Sequence, residues 1–331
     1  MAITRRKRIA RRRPWVTPAD AMLAIGLPLL WLFALTVPER HWRTLCYRLE
    51  SMRASLHRRD LAGVARAGAG VIDESRISDG RAFALEVAAG PIEHHLQVLR
   101  SRSPGGWRAT LHLEGAEHLD GALGQGRGAV LWVAHFCFNA LASKMALHRA
   151  GYRVWHLSRP EHGFSKSALG IAFFNPIRVG AERGHLAGRI VFERDRPGAA
   201  VLAAQRVLKN NGIVSITAGD WEGQRLAGIE IFGGTLELAV GAPGLARLTG
   251  AALLPVFTVR GAGQDAMRVI IEPALPVAGG GDGDDALQRA THAFGVFLER
   301  HVRRHPTEWR DWKKLKLPPD RASASERMAP R

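Results

Sequence analysis

Hydrophobic and polar positions divide this chain into three regions with different patterns. Residues 21–37 form an apolar run without a single charged side chain. Across residues 39–102, apolar residues recur at steps of three and four, a spacing that predicts two or three amphipathic helices. The first of these helices is predicted to bury Trp42, Leu45, Leu49 and Met52. From Trp107 onward, short apolar runs alternate with helix-like segments.

The alternation in the third region is typical of an α/β domain with a mainly parallel sheet flanked by helices, and this is the fold class that we expect. Strands are predicted at residues 109–113, 129–134, 153–157, 213–217, 252–259 and 268–272. Helices are predicted at residues 114–119, 198–210 and 236–248, from Phe138 to a stop at Gly151, and after the 279–285 loop to about Arg304.

These patterns divide the chain into five segments. They are a basic tail at residues 1–18, an apolar membrane anchor at 19–38, a helical region at 39–106, the α/β domain at 107–317 and a flexible tail at 318–331.

The formal net charge of +17 comes from 47 Lys and Arg against 30 Asp and Glu, and it is concentrated at the two ends of the chain. The clustered basic residues are Arg5, Arg6, Lys7, Arg8, Arg11, Arg12 and Arg13 in front and Arg310, Lys313, Lys314 and Lys316 behind. No helix-turn-helix, zinc or RNA-recognition signature accompanies this charge, so no nucleic-acid partner is expected. An anionic membrane surface fits better, because much of the charge adjoins an apolar run.

The apolar run at residues 21–37 has three interpretations. Its 17 residues are at the lower limit for crossing a bilayer, and the preceding basic residues would keep the N-terminus on the cytoplasmic side. A cleaved signal peptide is disfavoured, because no small-residue cleavage site follows, and a buried core helix is the third possibility. We expect a single uncleaved N-terminal anchor or interfacial helix. Pro28 favours a kinked or shallowly inserted helix over a straight span.

The main candidate catalytic residue, His135, lies in residues 128–147, between a predicted buried strand and the start of a predicted helix. The carboxyl end of a strand is where α/β sheets usually place reactive groups. An imidazole, with its pKa near neutrality, suits a general base, although a structural histidine is the alternative. No Asp or Glu follows His135 within this segment, so a carboxylate that orients the ring must come from elsewhere.

The sequence His135-Phe136-Cys137-Phe138-Asn139-Ala140 resembles the first motif of the lipid A biosynthesis acyltransferases, the late acyltransferases that add secondary acyl chains. These belong to the wider lysophospholipid acyltransferase-like group. In that family the strand ends in His-Phe-Gly-Asn-Trp-Glu, a form of His-x4-Asp/Glu, whereas the carboxylate position here is Ala140. Four later segments extend the resemblance: Ser158-Arg159-Pro160, Asp220 ahead of Ile231-Phe232-Gly233, the strand with Pro255, and the ending from His305 to Trp312.

The resemblance implies acyl transfer at the cytoplasmic face of a bacterial-type inner membrane by a glycerolipid acyltransferase-like α/β domain. A fatty acyl chain would pass from acyl carrier protein or acyl-CoA to a hydroxyl of a phospho- or glycolipid acceptor such as a lipid A precursor, with His135 as general base. The substrate-binding residues that it suggests are Arg159, Glu222, Gly233 and Pro255. Arg159 is expected to meet a phosphate of the acceptor. No cofactor is expected, and no side-chain cluster has the spacing of a metal site.

Three explanations account for the missing carboxylate. Asn139 orients His135 neutrally, as an asparagine does in papain-like proteases, although capping the following helix is its plainer role. Alternatively, Asp220 or Glu222 approaches His135 across neighbouring strand ends. In the third explanation the site is degenerate, and the protein binds lipid or acyl carrier protein without turnover. The predicted catalytic residues are therefore His135, Asp220 and Asn139.

Other enzyme classes lack their signatures in this chain. No Gly-x-Ser-x-Gly elbow supports a serine hydrolase. No Gly-x-Gly-x-x-Gly follows a strand, and no P-loop is present. Cys46 and Cys137 fit neither a disulfide nor a metal spacing, which indicates a reducing compartment.

Overall fold

The computed structural model describes residues 3–5, 13–69, 79–193, 196–219, 225–263, 266–277 and 283–318. Most of the predicted basic tail, the predicted 279–285 loop as far as residue 282, and the predicted flexible tail from residue 319 lie outside the described residues.

The helices are α1 (Pro18–Thr36), α2 (Trp42–Arg53), α3 (Arg58–Ala69), α4 (Gly80–Ser101), α5 (Ala116–Gly124), α6 (Asn139–Arg149), α7 (Ala168–Phe173), α8 (Asn175–Arg183), α9 (Pro197–Lys209), α10 (Gly241–Thr249) and α11 (Gly283–Arg304). The strands are β1 (Thr4–Arg5), β2 (Thr110–Glu114), β3 (Ala129–Val133), β4 (Val154–Ser158), β5 (Gly188–Val191), β6 (Ile213–Thr217), β7 (Arg225–Ile231), β8 (Gly234–Ala239), β9 (Ala252–Arg260) and β10 (Ala266–Ile271). Single-turn 3₁₀ helices occupy Glu39–His41, Ala54–His57, Pro306–Glu308 and Trp312–Lys314.

Seven strands form the central sheet in the order β2-β10-β9-β3-β6-β4-β5. Neighbouring strands are parallel except for the antiparallel pair β9 and β10. The sheet is covered on both faces: Trp132 stacks on Phe294 of α11, whereas Leu131 belongs to a core cluster with Leu119 of α5 and Ala146 of α6. The expected α/β class, with a mainly parallel sheet flanked by helices, is confirmed.

A second, three-stranded sheet contains the antiparallel hairpin of β7 and β8, with β1 paired to β7. The predicted helix at residues 236–248 is therefore wrong in its first part, since helix α10 begins only at Gly241. Burial alternates along β8, which is the period of a strand. The hairpin turns through Phe232 and Gly233, whose positive φ angles of 58° and 69° fit a type I′ turn.

The helical region contains α2, α3 and α4, which agrees with the predicted two or three helices. The buried face of α2 differs from the prediction, because it consists of Trp42, Cys46 and Glu50. These positions are four residues apart, so the buried line drifts around the helix and leaves Met52 on the far side, 75% exposed.

Helix α1 covers almost the whole predicted apolar run and continues through Pro28. Thr17 and Asp20 form a capping box at its start. By length and composition, α1 is a candidate membrane-spanning helix.

Candidate active site

His135 follows the central strand β3 at the carboxyl edge of the sheet. The strand end is held on both sides, because Ala134 N donates to Val256 O at 2.8 Å and Ala218 N donates to Val133 O at 2.7 Å. All five residues of β3 are buried, and α6 begins four residues after His135. The predicted strand-to-helix junction is thus present, and it fixes the backbone from which the imidazole projects.

A carboxylate does lie beside His135, and it comes from the other end of the chain. Nδ1 of His135 is 2.9 Å from Oδ1 of Asp311, and 176 residues separate the two. The Asp311 side chain is 3% exposed and that of His135 is 18% exposed. The carboxylate is therefore shielded from solvent, whereas the imidazole is mostly buried but reaches the surface.

Asp311 is positioned by residues 305–316, which we call the C-terminal strap. The strap runs antiparallel to the chain after β3: Cys137 N donates to Glu308 O at 2.8 Å, and Arg310 N donates to His135 O at 3.1 Å. The end of the strap is fixed separately, because Lys316 and Thr235 of β8 exchange two backbone hydrogen bonds of 2.9 Å. Two strap tryptophans anchor it in the core, namely Trp309 and Trp312, each 1% exposed.

The electrostatics of the pair favour a neutral imidazole beside an ionised carboxylate. Burial lowers the pKa of His135, and Asp311 opposes this by favouring the imidazolium. Burial acts to raise the pKa of Asp311, but His135 and Lys314 outweigh it and the net direction is down. Lys314 Nζ is 3.0 Å from the same Oδ1 atom. Since an ionised carboxylate only accepts hydrogen bonds, Nδ1 carries the imidazole proton and Nε2 is the proton-accepting nitrogen.

Asn139 does not cap helix α6, the role suggested for it from the sequence. It is the first residue of α6, Phe138 is the N-cap, and the Asn139 amide donates from Nδ2 to Ala134 O at 2.9 Å. This hydrogen bond closes the turn that presents His135. Ala140 follows it in the first turn of α6, at the position where the resembled motif carries its carboxylate.

Arg159 follows β4, two strands away from β3 at the same edge of the sheet. Its carbonyl oxygen accepts a hydrogen bond of 2.7 Å from Arg189 Nη2. Nearby, Glu182 accepts from Lys144 Nζ at 2.5 Å and Arg178 Nε at 3.2 Å. His162 Nε2 also contacts Glu182, at 2.8 Å. Within this described group, three cationic side chains accompany one carboxylate, which makes the region around β4 positive.

The other predicted site residues are distributed over the sheet edge. Asp220 and Glu222 lie outside the described residues, after β6. Gly233 is exposed in the β7–β8 turn, next to residues that contact the strap. Pro255 is buried in β9, paired in register with Trp132 of β3. Among the described residues, no group of His, Cys, Asp and Glu side chains forms a candidate metal site.

Sequence reasoning missed Asp311 and Lys314. Asp311 lies in the segment from His305 to Trp312, which carries part of the resemblance. Nothing in the sequence indicates that the carboxylate of this segment contacts His135. The backbone pairing between the strap and the β3–α6 turn is a long-range contact with no local sequence pattern.

The fold and this site define an α/β protein with a histidine–carboxylate pair at the carboxyl edge of a mainly parallel sheet. No protein-family model and no curated protein matches the chain. Among solved structures, the chain is similar to the 1-acyl-sn-glycerophosphate (LPA) acyltransferase PlsC from Thermotoga maritima, with 13% sequence identity and a TM-score of 0.37. The alignment covers 85% of this chain and 97% of that one. A similarity at this level does not assign an activity.

Proposed function

We propose that this protein is a membrane-associated acyltransferase that moves a fatty acyl chain from an acyl thioester to a hydroxyl of a lipid acceptor. The contact between His135 Nδ1 and Asp311 Oδ1 carries the proposal. The sequence motif lacks its own carboxylate, and a catalytic histidine needs a group that fixes its tautomer and stabilises its imidazolium. Asp311 supplies that group from the C-terminal strap.

The proposed reaction uses Nε2 of His135 as general base. Nε2 takes the proton of the acceptor hydroxyl while the oxygen attacks the thioester carbonyl carbon. The tetrahedral intermediate then collapses, the carbon–sulfur bond breaks, and the imidazolium returns its proton to the leaving thiolate. General base catalysis of this kind contributes about 10²- to 10⁴-fold. Asp311 stabilises the transient positive charge on the ring.

For the acceptor, we propose a phosphorylated lipid such as a lipid A precursor, with Arg159 meeting a phosphate. The positive region formed by Lys144, Arg178 and Arg189 near the end of β4 supports an anionic acceptor group at this edge. A guanidinium suits phosphate because it binds two oxygens at once. The donor is proposed to be acyl carrier protein or acyl-CoA, and the location the cytoplasmic face of a bacterial-type inner membrane.

The remaining predicted residues have proposed supporting roles. Asp220 and Glu222 follow β6, which neighbours β3, so they are candidates for further contacts with the catalytic centre or the substrate. Asn139 is proposed to hold the turn that presents His135. Gly233, in the β7–β8 hairpin, and Pro255, in strand β9 next to β3, are proposed to shape the substrate site.

The test is acyl transfer into total lipid by membrane fractions, with labelled acyl carrier protein and labelled acyl-CoA as separate donors. Wild type is expected to label a lipid, and His135→Ala and Asp311→Asn are expected to lose at least about 100-fold of the rate. Glu272→Gln is a matched control, since Glu272 also pairs with a histidine, His301, at 2.7 Å, and follows β10, two strands away from β3.

Each outcome has a defined meaning. Loss in the two site variants with activity in Glu272→Gln supports the proposal, and the labelled product identifies the acceptor. Equal activity in His135→Ala and wild type contradicts it. No transfer by folded wild type with either donor, across phosphorylated and unphosphorylated acceptors, also contradicts it and favours a relative that binds lipid or carrier protein without turnover.

A further inference from the structure

Helix α1 is apolar around most of its circumference, yet only one face of it is packed against the rest of the protein. The buried residues are Asp20, Leu27 and Ala34, spaced seven apart, which is a single line along the whole length of the helix. Leu27 and Ala34 share a hydrophobic cluster with residues of α4, among them Leu96 and Leu99. The helix thus lies along the domain from its first turn to its last.

Polar contacts secure α1 at its start, middle and end. Asp20 Oδ1 accepts a 2.6 Å hydrogen bond from Ser165 Oγ. This bond is the main reason that the pKa of Asp20 is lowered to about 2, although burial acts to raise it. Trp31 Nε1 donates to Ser103 Oγ at 2.7 Å. After the helix, Trp42 Nε1 donates to Val37 O at 3.0 Å, which fixes the exit of the chain.

The opposite face of α1 exposes large apolar side chains along its full length. They are Met22 (69% exposed), Ile25 (69%), Leu29 (63%) and Leu32 (59%), at helical spacing. The surface continues onto α7, because Leu169 N donates to Trp15 O and Ala168 N donates to Pro14 O. Trp15 is 83% exposed and Phe173 is 70% exposed. We call this combined surface of α1, Trp15 and α7 the apolar face.

We infer that α1 does not cross the bilayer but lies in its plane, with the apolar face immersed in the lipid of one leaflet. A helix of 19 residues measures about 28 Å, enough to cross the hydrocarbon core. Crossing, however, requires that α1 leave α4 and that Asp20 and Trp31 lose their partners, or that α4 and its ionisable residues enter the lipid. Lying flat keeps every contact and removes the exposed apolar side chains from water.

The basic residues around the apolar face indicate that this face binds an anionic lipid surface. Lys166 and Arg40 are exposed near its two ends, and the arginine-rich N-terminal residues precede it. Basic side chains at this level attract anionic headgroups. An Arg13–Glu161 ion pair of 2.6 Å and the Asp20–Ser165 bond attach the loop after β4, which carries Arg159, to the start of α1.

The in-plane position of α1 also determines how an acceptor lipid reaches the site. This step rests on the proposed function, because it assumes a membrane-bound acyltransferase. The loop with Arg159 and His162 is held at the level of the lipid headgroups. An acceptor lipid therefore reaches the sheet edge sideways from the leaflet in which α1 lies, with its phosphate at Arg159.

Sidedness distinguishes the in-plane helix from a spanning one. Pro14→Cys and Pro38→Cys place single exposed thiols just before and after α1. Both native cysteines are 2% exposed, and unmodified protein serves as the labelling blank. With full-length protein in sealed vesicles of phosphatidylethanolamine and phosphatidylglycerol, we expect an impermeant maleimide to label both positions from the same side. Labelling from opposite sides contradicts the inference.

Depth gives a second readout along the same helix. Fluorophores on Met22→Cys, Ile25→Cys, Leu29→Cys and Leu32→Cys are quenched by lipids that carry nitroxides at defined depths. We expect one similar, shallow depth at all four positions. A depth that changes steadily along the helix, or is greatest in its middle, overturns the proposal.

Membrane affinity provides the matched control. Leu29 and Leu248 are each 63% exposed and lie on helices, but only Leu29 belongs to the apolar face. Leu29→Glu is expected to weaken vesicle binding about tenfold or more, since it removes a leucine from lipid, and Leu248→Glu is expected to leave binding unchanged. Equal effects, or no vesicle binding by wild type, contradict the inference. None of these readouts needs acyl transfer, so a failed activity assay leaves the result interpretable.

Discussion

Phe136 and Trp309 pair as an antiparallel β-bridge, and this pairing brings Asp311 to His135. The bridge lies one residue after the histidine and two residues before the aspartate. The geometry of the site therefore depends on backbone pairing between the β3–α6 turn and the C-terminal strap. A carboxylate five residues after the histidine would be fixed by local structure alone, whereas this one requires the strap to be docked.

The anchoring of the strap predicts a coupled loss of stability and activity in Trp309→Ala. Removing this buried side chain is expected to cost about 3–5 kcal/mol in the free energy of unfolding and to release Asp311. Urea unfolding and acyl transfer measure the two effects. Trp42→Ala is the control, because Trp42 on α2 is 2% exposed and packs in a different hydrophobic cluster from Trp309. Activity per folded molecule should fall only in Trp309→Ala. An equal fall in both variants would mean that docking of the strap does not position Asp311.

The electrostatics of the pair predict a shifted pH profile in Asp311→Asn. Burial lowers the pKa of His135 and Asp311 raises it, so loss of the carboxylate lowers this pKa further. The base must be neutral to act, and the acidic limb of kcat/KM is therefore expected to move to lower pH while the plateau rate falls. Steady-state rates from pH 5 to 8 measure this. An acidic limb that stays in place contradicts a direct Asp311–His135 coupling.

The position of Arg159 predicts selectivity for a phosphate on the acceptor. Arg159→Ala is expected to raise KM for a phosphorylated acceptor about tenfold or more, since a charge-assisted hydrogen bond contributes about 1.5–3 kcal/mol. KM for the dephosphorylated acceptor should change little. Arg153→Ala, an exposed arginine just before β4, is the matched control. If both acceptors respond equally to Arg159→Ala, the residue does not recognise phosphate.

Buried histidines predict that the protein loses stability in mild acid. Burial is the main cause that lowers the pKa of His95 to about 3 and that of His162 to about 4, and the pKa values of His94 and His156 also lie well below normal. Below pH 6.5 the unfolded chain therefore binds more protons than the folded one, and stability falls as pH falls. Each such group contributes a slope of about 1.4 kcal/mol per pH unit between its two pKa values.

Urea unfolding between pH 7.5 and 5 measures this slope, and His162→Gln is expected to reduce it. A free energy of unfolding that is constant over this range would contradict the buried neutral histidines.

The sequence predicted those parts of the fold whose patterns are local. Strand β6 has the predicted bounds, and helix α6 lies within the helix predicted from Phe138 to Gly151. The β7–β8 hairpin was missed because Leu236, Ala239 and Val240, at i, i+3 and i+4, also fit a helical spacing over a short window. Strand β5 and helices α7 and α8 were not predicted, and all three are short, at four, six and nine residues.

For the candidate site, the sequence located His135 and the sheet edge but not the residue beside the imidazole. Local spacing and neighbouring strand ends offer only Asn139, Asp220 and Glu222 as partners for the ring. Asp311 satisfies the same chemical need through a contact across 176 residues, and a contact at that separation follows from the packing of Trp309 and Trp312 rather than from any spacing in the sequence.

If Asp311 acts through the imidazole, His135 and Asp311 behave as one catalytic unit, and a double-variant cycle tests this directly. Single-turnover acyl transfer is measured for wild type, His135→Ala, Asp311→Asn and the double variant, with the folded fraction of each determined by circular dichroism. Because Asp311 acts only through the imidazole, the double variant is expected to be no slower than His135→Ala alone. A double variant whose rate loss equals the product of the two single losses would mean that Asp311 acts independently of His135, and it would contradict the proposed pair.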